Sequence, residues 1–453
     1  MKSTVRIFAL ILCVTLMFGL CSCSMSKNAA DGDLSGGAFG PPMIGSSGDA
    51  ESFGPSLGDT LPDASDSDDT GSDGAEGEKP STEAVKRPAG LITAAAWDDN
   101  QNYEDWKKLF EKNSESGENG KFSSYTDIRS WGFDSYGRIK VTAWVGNDES
   151  ARAAGAKVVA KNSGGTVVYE AVTDANGVAY LFTDGEVGTL QITSGDYTAT
   201  TAYTGALDEE ITVKLDGCAE KKNIIDIMFV VDVTGSMGDE LDFLKNELAD
   251  VIDRVAKGST DTAINLALLF YRDDGDAQKF AYRDFTDATD PLGLAAIQNA
   301  LDGQYANGGG DYPEAVDEAL ELAVSKQWNT AATTKLIFHV LDAPPHSKEA
   351  NVERYKSAVE AAAAKGIRIC PILCSGAEEV TEYLVRQAAI YTAGTFIFVT
   401  DDSGIGNAHH DPGLPNATVE ALNSLLVRLI KGYHTGEFAP AVYWKTEQAN
   451  NQG

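Results

Sequence analysis

The sequence predicts a multidomain protein. An α/β domain with a parallel sheet and helices on both faces follows a small all-β sandwich, and a disordered tether precedes both. Three observations carry this reading. From residue 219 to 433, apolar runs of strand length alternate with helical patterns, as in a parallel sheet buried on both sides. From 137 to 215, shorter runs of alternating hydropathy are separated by turn residues, as in an antiparallel sandwich. From 24 to 88, Gly, Ser, Asp and Pro dominate, and such a segment cannot bury enough apolar area to offset its chain entropy.

At the N-terminus, Lys2 and Arg6 precede an apolar run from Ile7 to Leu20. That run is short for a membrane span and of the right length for a signal peptide. It ends in Leu20-Cys21-Ser22-Cys23, which resembles a bacterial lipoprotein signal, with Cys23 the expected lipidated residue and Cys21 the fallback. The expected division is a signal peptide over 1–22 and an acidic tether over 23–88. Some ~65 flexible residues would span roughly 40–50 Å. On this reading the protein is exported and lipid-anchored in a bacterial envelope, touching the membrane through its anchor alone.

Residues 89–218 are expected to hold a short helical segment and the sandwich. Trp97 to Phe110 reads as an amphipathic helix whose two tryptophans pack on the sandwich. The sandwich runs are Ile139 to Val145, Ala156 to Ala160, Val167 to Val172, Val178 to Phe182, Thr189 to Ile192, Tyr197 to Tyr203 and Ile211 to Leu215. Asp174-Ala175-Asn176-Gly177 reads as a hairpin turn. The strings around Gly155 and Thr173 resemble carboxypeptidase-regulatory-like and immunoglobulin-like modules of bacterial surface proteins.

In the α/β region, strands are expected at Ile224 to Val231, Ile264 to Tyr271, Lys335 to Leu341, Ile367 to Leu373 and Thr395 to Thr400. Helices are expected at Asp239 to Ala256, Pro291 to Leu301, Tyr312 to Ser325, Val352 to Ala364, Val380 to Tyr391 and Ala417 to Ile430. Residues 434–453 form a tail. In such sheets ligands collect at the carboxyl ends of the strands. Asp232, Asp273, Asp342 and Asp401 each follow a strand end, so all four should gather on one rim.

The most informative string is Asp232-Val233-Thr234-Gly235-Ser236, directly after the first of these strands. A carboxylate and two hydroxyls at alternate positions of a tight loop suit a hard divalent cation. The string resembles the first loop of the metal-ion-dependent adhesion site in the von Willebrand factor type A family, Asp-x-Ser/Thr-x-Ser. Gly308-Gly309-Gly310-Asp311-Tyr312-Pro313-Glu314 resembles its second loop, and Ile337 to His346 its third, ending a strand in Asp342. The resemblance covers about half the chain and implies a Rossmann-like domain. It also implies a metal site formed by Asp232, Thr234, Ser236, Asp311 and Asp342, rimmed by Arg272, Asp273 and Asp401. Mg²⁺ is the expected ion, with Ca²⁺ or Mn²⁺ as alternatives. Most of the family has threonine where Asp311 stands. A third carboxylate would hold the cation more tightly and make it a poorer acceptor of an acidic ligand; alternatively, Asp311 caps the helix expected at Tyr312.

A net charge of −32 over 453 residues argues against nucleic acid as partner. No zinc-type cluster, phosphate-binding loop or nucleophile elbow occurs. Cys218, Cys370 and Cys374 read as free thiols, with a bridge from Cys218 left open. A Cys-His pair would need His346, His409 or His410 beside Cys374. The leading expectation is a surface-anchored, non-enzymatic binding protein that engages a protein or envelope ligand through its cation. The alternatives are an envelope hydrolase on the same rim and a structural lipoprotein braced by its metal.

Overall fold

The computed structural model describes residues 92–451, except 115, 126–130, 184–185, 204, 206–208, 258–260, 311, 404–408 and 415. The expected signal peptide, Cys23, the tether and Asp311 therefore lie outside the described residues.

The described residues begin with β1 (Thr93–Trp97) and α1 (Tyr103–Lys108). Eight short strands follow: β2 (Arg138–Val145), β3 (Asp148–Arg152), β4 (Lys157–Lys161), β5 (Val167–Val172), β6 (Val178–Phe182), β7 (Thr189–Ser194), β8 (Tyr197–Ala202) and β9 (Glu210–Leu215). The α/β part comprises β10 (Lys222–Asp232), α2 (Gly238–Ala256), β11 (Ala263–Tyr271), β12 (Phe280–Asp287), α3 (Pro291–Asp302), α4 (Val316–Ser325) and β13 (Ala332–Leu341). It continues through α5 (Glu349–Lys365), β14 (Arg368–Leu373), α6 (Glu379–Tyr391), β15 (Phe396–Thr400), β16 (Glu420–Ala421) and α7 (Leu422–Thr435), and α8 (Trp444–Asn451) ends the chain.

The large sheet runs β12-β11-β10-β13-β14-β15-β1-β16. Its five central strands, β11 to β15 in that order, are parallel, as the alternation of strands and helices requires. Side-chain alternation divides the core in two. On β10, Ile225, Ile227, Phe229 and Val231 face α2, α3 and α7. Met228 and Val230 face the opposite layer, which holds α4, α5 and α6. Because both faces are buried, β10 reads from Ile224 to Val231 as an apolar run rather than an alternating one, interrupted by the buried Asp226, whose carboxylate accepts from Asn265 Nδ2 and the Asn329 backbone N–H.

Two findings depart from the expected organisation. Trp97, the start of the expected helix, instead ends a strand, and the helix begins at Tyr103; β1 pairs antiparallel with β15 and β16 and extends the large sheet. Trp97 therefore lies in that sheet. Trp106 packs edge-on against Phe110 and Phe122, with the Arg386 guanidinium 5.1 Å over its ring, so it docks on α6 rather than on the small sheets. A run of alanines with a terminal Trp carries no period that separates strand from helix, and the free edge of β15 decided the matter.

The short strands form two four-stranded sheets, β3-β2-β6 with β9 beside β2, and β5-β4-β7-β8. β9 runs parallel to β2, so the arrangement is not purely antiparallel. The Asp174–Gly177 turn connects strands of different sheets instead of closing a hairpin. Asp174 Oδ1 accepts from the backbone N–H groups of Asn176 and Val178, at 2.9 and 2.8 Å, and Gly177 takes the left-handed conformation the turn needs. Val158, Leu190, Ile192 and Val141 join the same apolar cluster as α5 and α6, so the two sheets share their core with one face of the α/β layer. Among the described residues, no helix is long and apolar enough to cross a membrane.

Candidate metal centre at the carboxyl end of the sheet

Three loops meet where β10 and β13 end. In the first, Asp232 is fully buried, and its Oδ1 accepts from the Thr234 backbone N–H at 2.8 Å and the Thr234 hydroxyl at 2.7 Å. This Asx-type turn folds the loop back on itself and aims the hydroxyl inward. The Ser236 side chain acts to lower the carboxyl of Asp342 at the end of β13, which sets the first loop beside the third. The second loop seats against the first through Gly235 N–H to Gly308 O at 3.3 Å and Asn307 N–H to Val233 O at 3.0 Å. Gly309 has positive φ, and a Cβ there would lie 2.8 Å from Glu314 Oε1 and 3.2 Å from Thr234 Cβ. Only glycine lets the loops approach this closely.

The electrostatics are those of a site short of positive charge. Asp232 Oδ2, Glu314 Oε2 and Glu240 Oε2 are buried without a hydrogen-bond partner. Burial, with Asp342 adding repulsion, pushes the Asp232 carboxyl up to about 7. Burial and the charges of Asp232, Asp273 and Asp342 push Glu314 up to about 9. Burial also raises Asp342 and Glu240. A buried carboxylate without a compensating partner is costly, and a hard cation is the group that such an oxygen set accommodates. The residues therefore fit the divalent ion that the motif implies. Among the described residues, no three His, Cys, Asp or Glu side chains converge closely enough to hold a metal by themselves. The donor set is mixed instead, two carboxylates and two hydroxyls, with Asp311 outside the described residues.

The three expected rim residues are held differently from one another. Arg272 is buried, and its guanidinium is spent on the scaffold: Nε donates to Asn307 O and Oδ1 at 3.0 and 2.9 Å, Nη1 to Gln278 O and Nη2 to Tyr305 O. Asp273 is buried and paired with His346 Nε2 at 2.9 Å. Asp401 is exposed, bonds His409, and follows β15, which β14 separates from β13. At about 4.8 Å per strand it lies roughly 10 Å along the rim from the strand carrying Asp342. The parallel topology does put all four aspartates at the same edge; the charges of Asp232, Asp273 and Asp342 all act on Glu314, whereas Asp401 stands apart beside His409. The helix expected at Tyr312 begins instead at Val316, as α4 with Ala315 at its N-cap, and Asp311 itself lies outside the described residues.

Sequence reasoning quoted Glu314 without giving it a role and missed Glu240. Glu314 is tied to the third loop by its backbone N–H to Pro344 O at 3.0 Å. Glu240 accepts from Ser375 Oγ at 3.2 Å. A signal existed for the latter: Glu240 and Glu247 stand seven apart on α2, on the face that carries Leu241, Leu244 and Leu248, and both are buried.

Cys218, Cys370 and Cys374 are free thiols. Burial pushes the Cys374 thiol well above its ordinary range. The three histidines considered as its partners bond carboxylates instead, His346 to Asp273, His409 to Asp401 and His410 to Glu382.

A family model described as von Willebrand factor A domain matches residues 226–399. An ariadne-like RING finger protein of Acanthamoeba polyphaga mimivirus is 30% identical over 129 residues, 28% of this chain and 12% of that protein, so the chain spans about an eighth of that relative's length. Among solved structures, the pilus adhesin SpaC from Lactobacillus rhamnosus GG is similar at TM-score 0.37 and 10% identity, over 55% of this chain and 33% of that one. The conserved hypothetical protein BatB from Bacteroides thetaiotaomicron is similar at TM-score 0.32 and 14% identity, over 46% of this chain and 98% of that one. With its mixed α/β sheet and the family match over β10 to β15, the chain carries a von Willebrand factor A domain.

Proposed function

We propose that this chain is a non-enzymatic binding protein of the bacterial cell surface that engages a protein or envelope ligand through a divalent cation at the carboxyl end of its large sheet. The observation that carries the reading is Asp232 Oδ2, fully buried, without a hydrogen-bond partner, beside two hydroxyls and the Asp342 carboxylate. Asp232, Thr234, Ser236 and Asp342 would hold the ion, Mg²⁺ first. A bound cation there supplies a Lewis-acidic position for an oxygen of the partner. The chain's own contribution is preorganisation. Arg272 clamps the second loop through its backbone carbonyls, and Gly309 lets that loop press against Thr234. Exposed Tyr305 and half-exposed Tyr312 stand on the same loop and give a partner apolar area to cover. The signal-like run and Cys23 support a lipid-anchored location. The raised Cys374 thiol weighs against the hydrolase alternative, and His346, His409 and His410 each bond a carboxylate.

The test is calorimetric titration of the full chain with Mg²⁺, Ca²⁺ and Mn²⁺, wild type against Asp232→Ala. Saturable one-site binding that the substitution abolishes is expected. No saturable binding at millimolar metal refutes the proposal.

A further inference from the structure

A second site, independent of the cation centre, lies where the segment after α1 meets α6. We infer that this cavity, about 330 Å³ in volume, binds an organic ammonium group. Its walls are aromatic, formed by Phe110, Phe133, Tyr136 and Tyr383, with the Phe110 and Tyr383 rings edge to face at 6.4 Å. Its polar lining includes the carboxylates of Glu111 and Asp134 and the side chain of Gln387. Glu111 Oε1 takes the Tyr136 hydroxyl, and Asp134 Oδ1 takes the Tyr136 backbone N–H at 3.2 Å, so each of these bonds uses one oxygen of its carboxylate. Gln387 is 1% exposed, and its Oε1 is buried without a hydrogen-bond partner. No Lys, Arg or His lines the cavity among the described residues.

The chemistry selects the occupant by elimination. An anion would meet two carboxylates. A neutral apolar ligand would desolvate both carboxylates and leave the Gln387 carbonyl still unpaired. A bare hard cation would find ring carbons where it needs oxygens. An alkylammonium satisfies every wall: its charge faces aromatic quadrupoles and carboxylates, its N–H groups have acceptors, and its carbons contact the rings. The volume is at the small end for a ligand pocket, which suits one amine-bearing chain rather than a drug-sized molecule. Two sources share this chemistry, a free small amine and a lysine side chain presented by a protein.

The experiment titrates the full chain with n-butylammonium, methylammonium and a short peptide carrying one internal lysine, against n-butanol as the neutral isostere. Calorimetry or NMR shifts read the binding. Saturable binding of the ammonium probes is expected, with butanol weaker by about tenfold or more. The Glu111→Gln/Asp134→Asn double variant is expected to lose about fivefold or more in ammonium affinity. Tyr136 is 41% exposed, so Tyr136→Ala removes a wall without removing core; it should weaken the ammonium probes while the melting temperature holds. Tighter binding of the peptide than of butylammonium identifies a protein lysine as the source, and the reverse order a free amine. Equal binding of butanol and butylammonium, no saturable ammonium binding by about 10 mM, or unchanged affinity in the double variant overturns the inference.

Discussion

Asp232→Asn offers the sharpest test of the physical argument, because it separates the cost of a buried charge from the shape of the loop. The wild-type carboxyl goes from an ordinary 3.8 to about 7 in the folded chain. Its folded pKa lies above its unfolded one, so between these values the folded state holds the extra proton and stability falls as pH rises. From pH 5 to pH 8 in the presence of a chelator, linkage gives a loss of at most ~2.5 kcal/mol from this group alone. Asparagine keeps the acceptor that Thr234 uses and carries no charge, so the variant should lack this component and gain on wild type toward pH 8. The assay is denaturant midpoint or thermal melting of both proteins at half-unit pH steps, with chelator and then with Mg²⁺. In wild type, saturating Mg²⁺ should reverse the slope, since the cation competes with the proton and binds more tightly at higher pH. Wild-type and variant curves that run parallel in chelator would refute the claim that Asp232 is an uncompensated buried carboxylate.

Two further outcomes follow from the described contacts. Arg386, 1% exposed, bonds Asp99 through Nε and Nη2 at 3.0 and 2.5 Å and Glu382 through Nη1 at 2.9 Å, so Arg386→Met should destabilise by about 3–5 kcal/mol; urea unfolding showing under about 1 kcal/mol would contradict this. With a thiol reagent at pH 8 under native conditions, Cys218 should react before the other two described cysteines, because Cys370 and Cys374 are buried and their thiols are pushed up by that burial. Mass mapping of the modified cysteine checks it.

The sequence by itself determined the α/β architecture, because strands buried on both faces must be continuously apolar and parallel neighbours need helical crossovers. β10, β11, β13, β14 and β15 all lie where those runs predict them, within a few residues. The two-sided burial also located Asp232 and Asp342 at strand ends, and the loop strings singled out Thr234 and Ser236. What it did not determine was pairing between distant segments. Strand β1 lies more than 290 residues before β15 in the chain, and only the open edge of the sheet decides that they pair. The same holds for charge. Arg272 and Asp401 both follow strand ends, yet Arg272 is drawn inward by the carbonyls of Asn307, Gln278 and Tyr305 while Asp401 remains exposed beside His409. A sequence shows which side chains are charged; the folded surroundings decide which are desolvated, since burial and neighbouring dipoles are properties of tertiary structure. Glu240 and Glu314 were visible as letters, and the burial of one unpaired oxygen on each became visible only once three loops had closed around them.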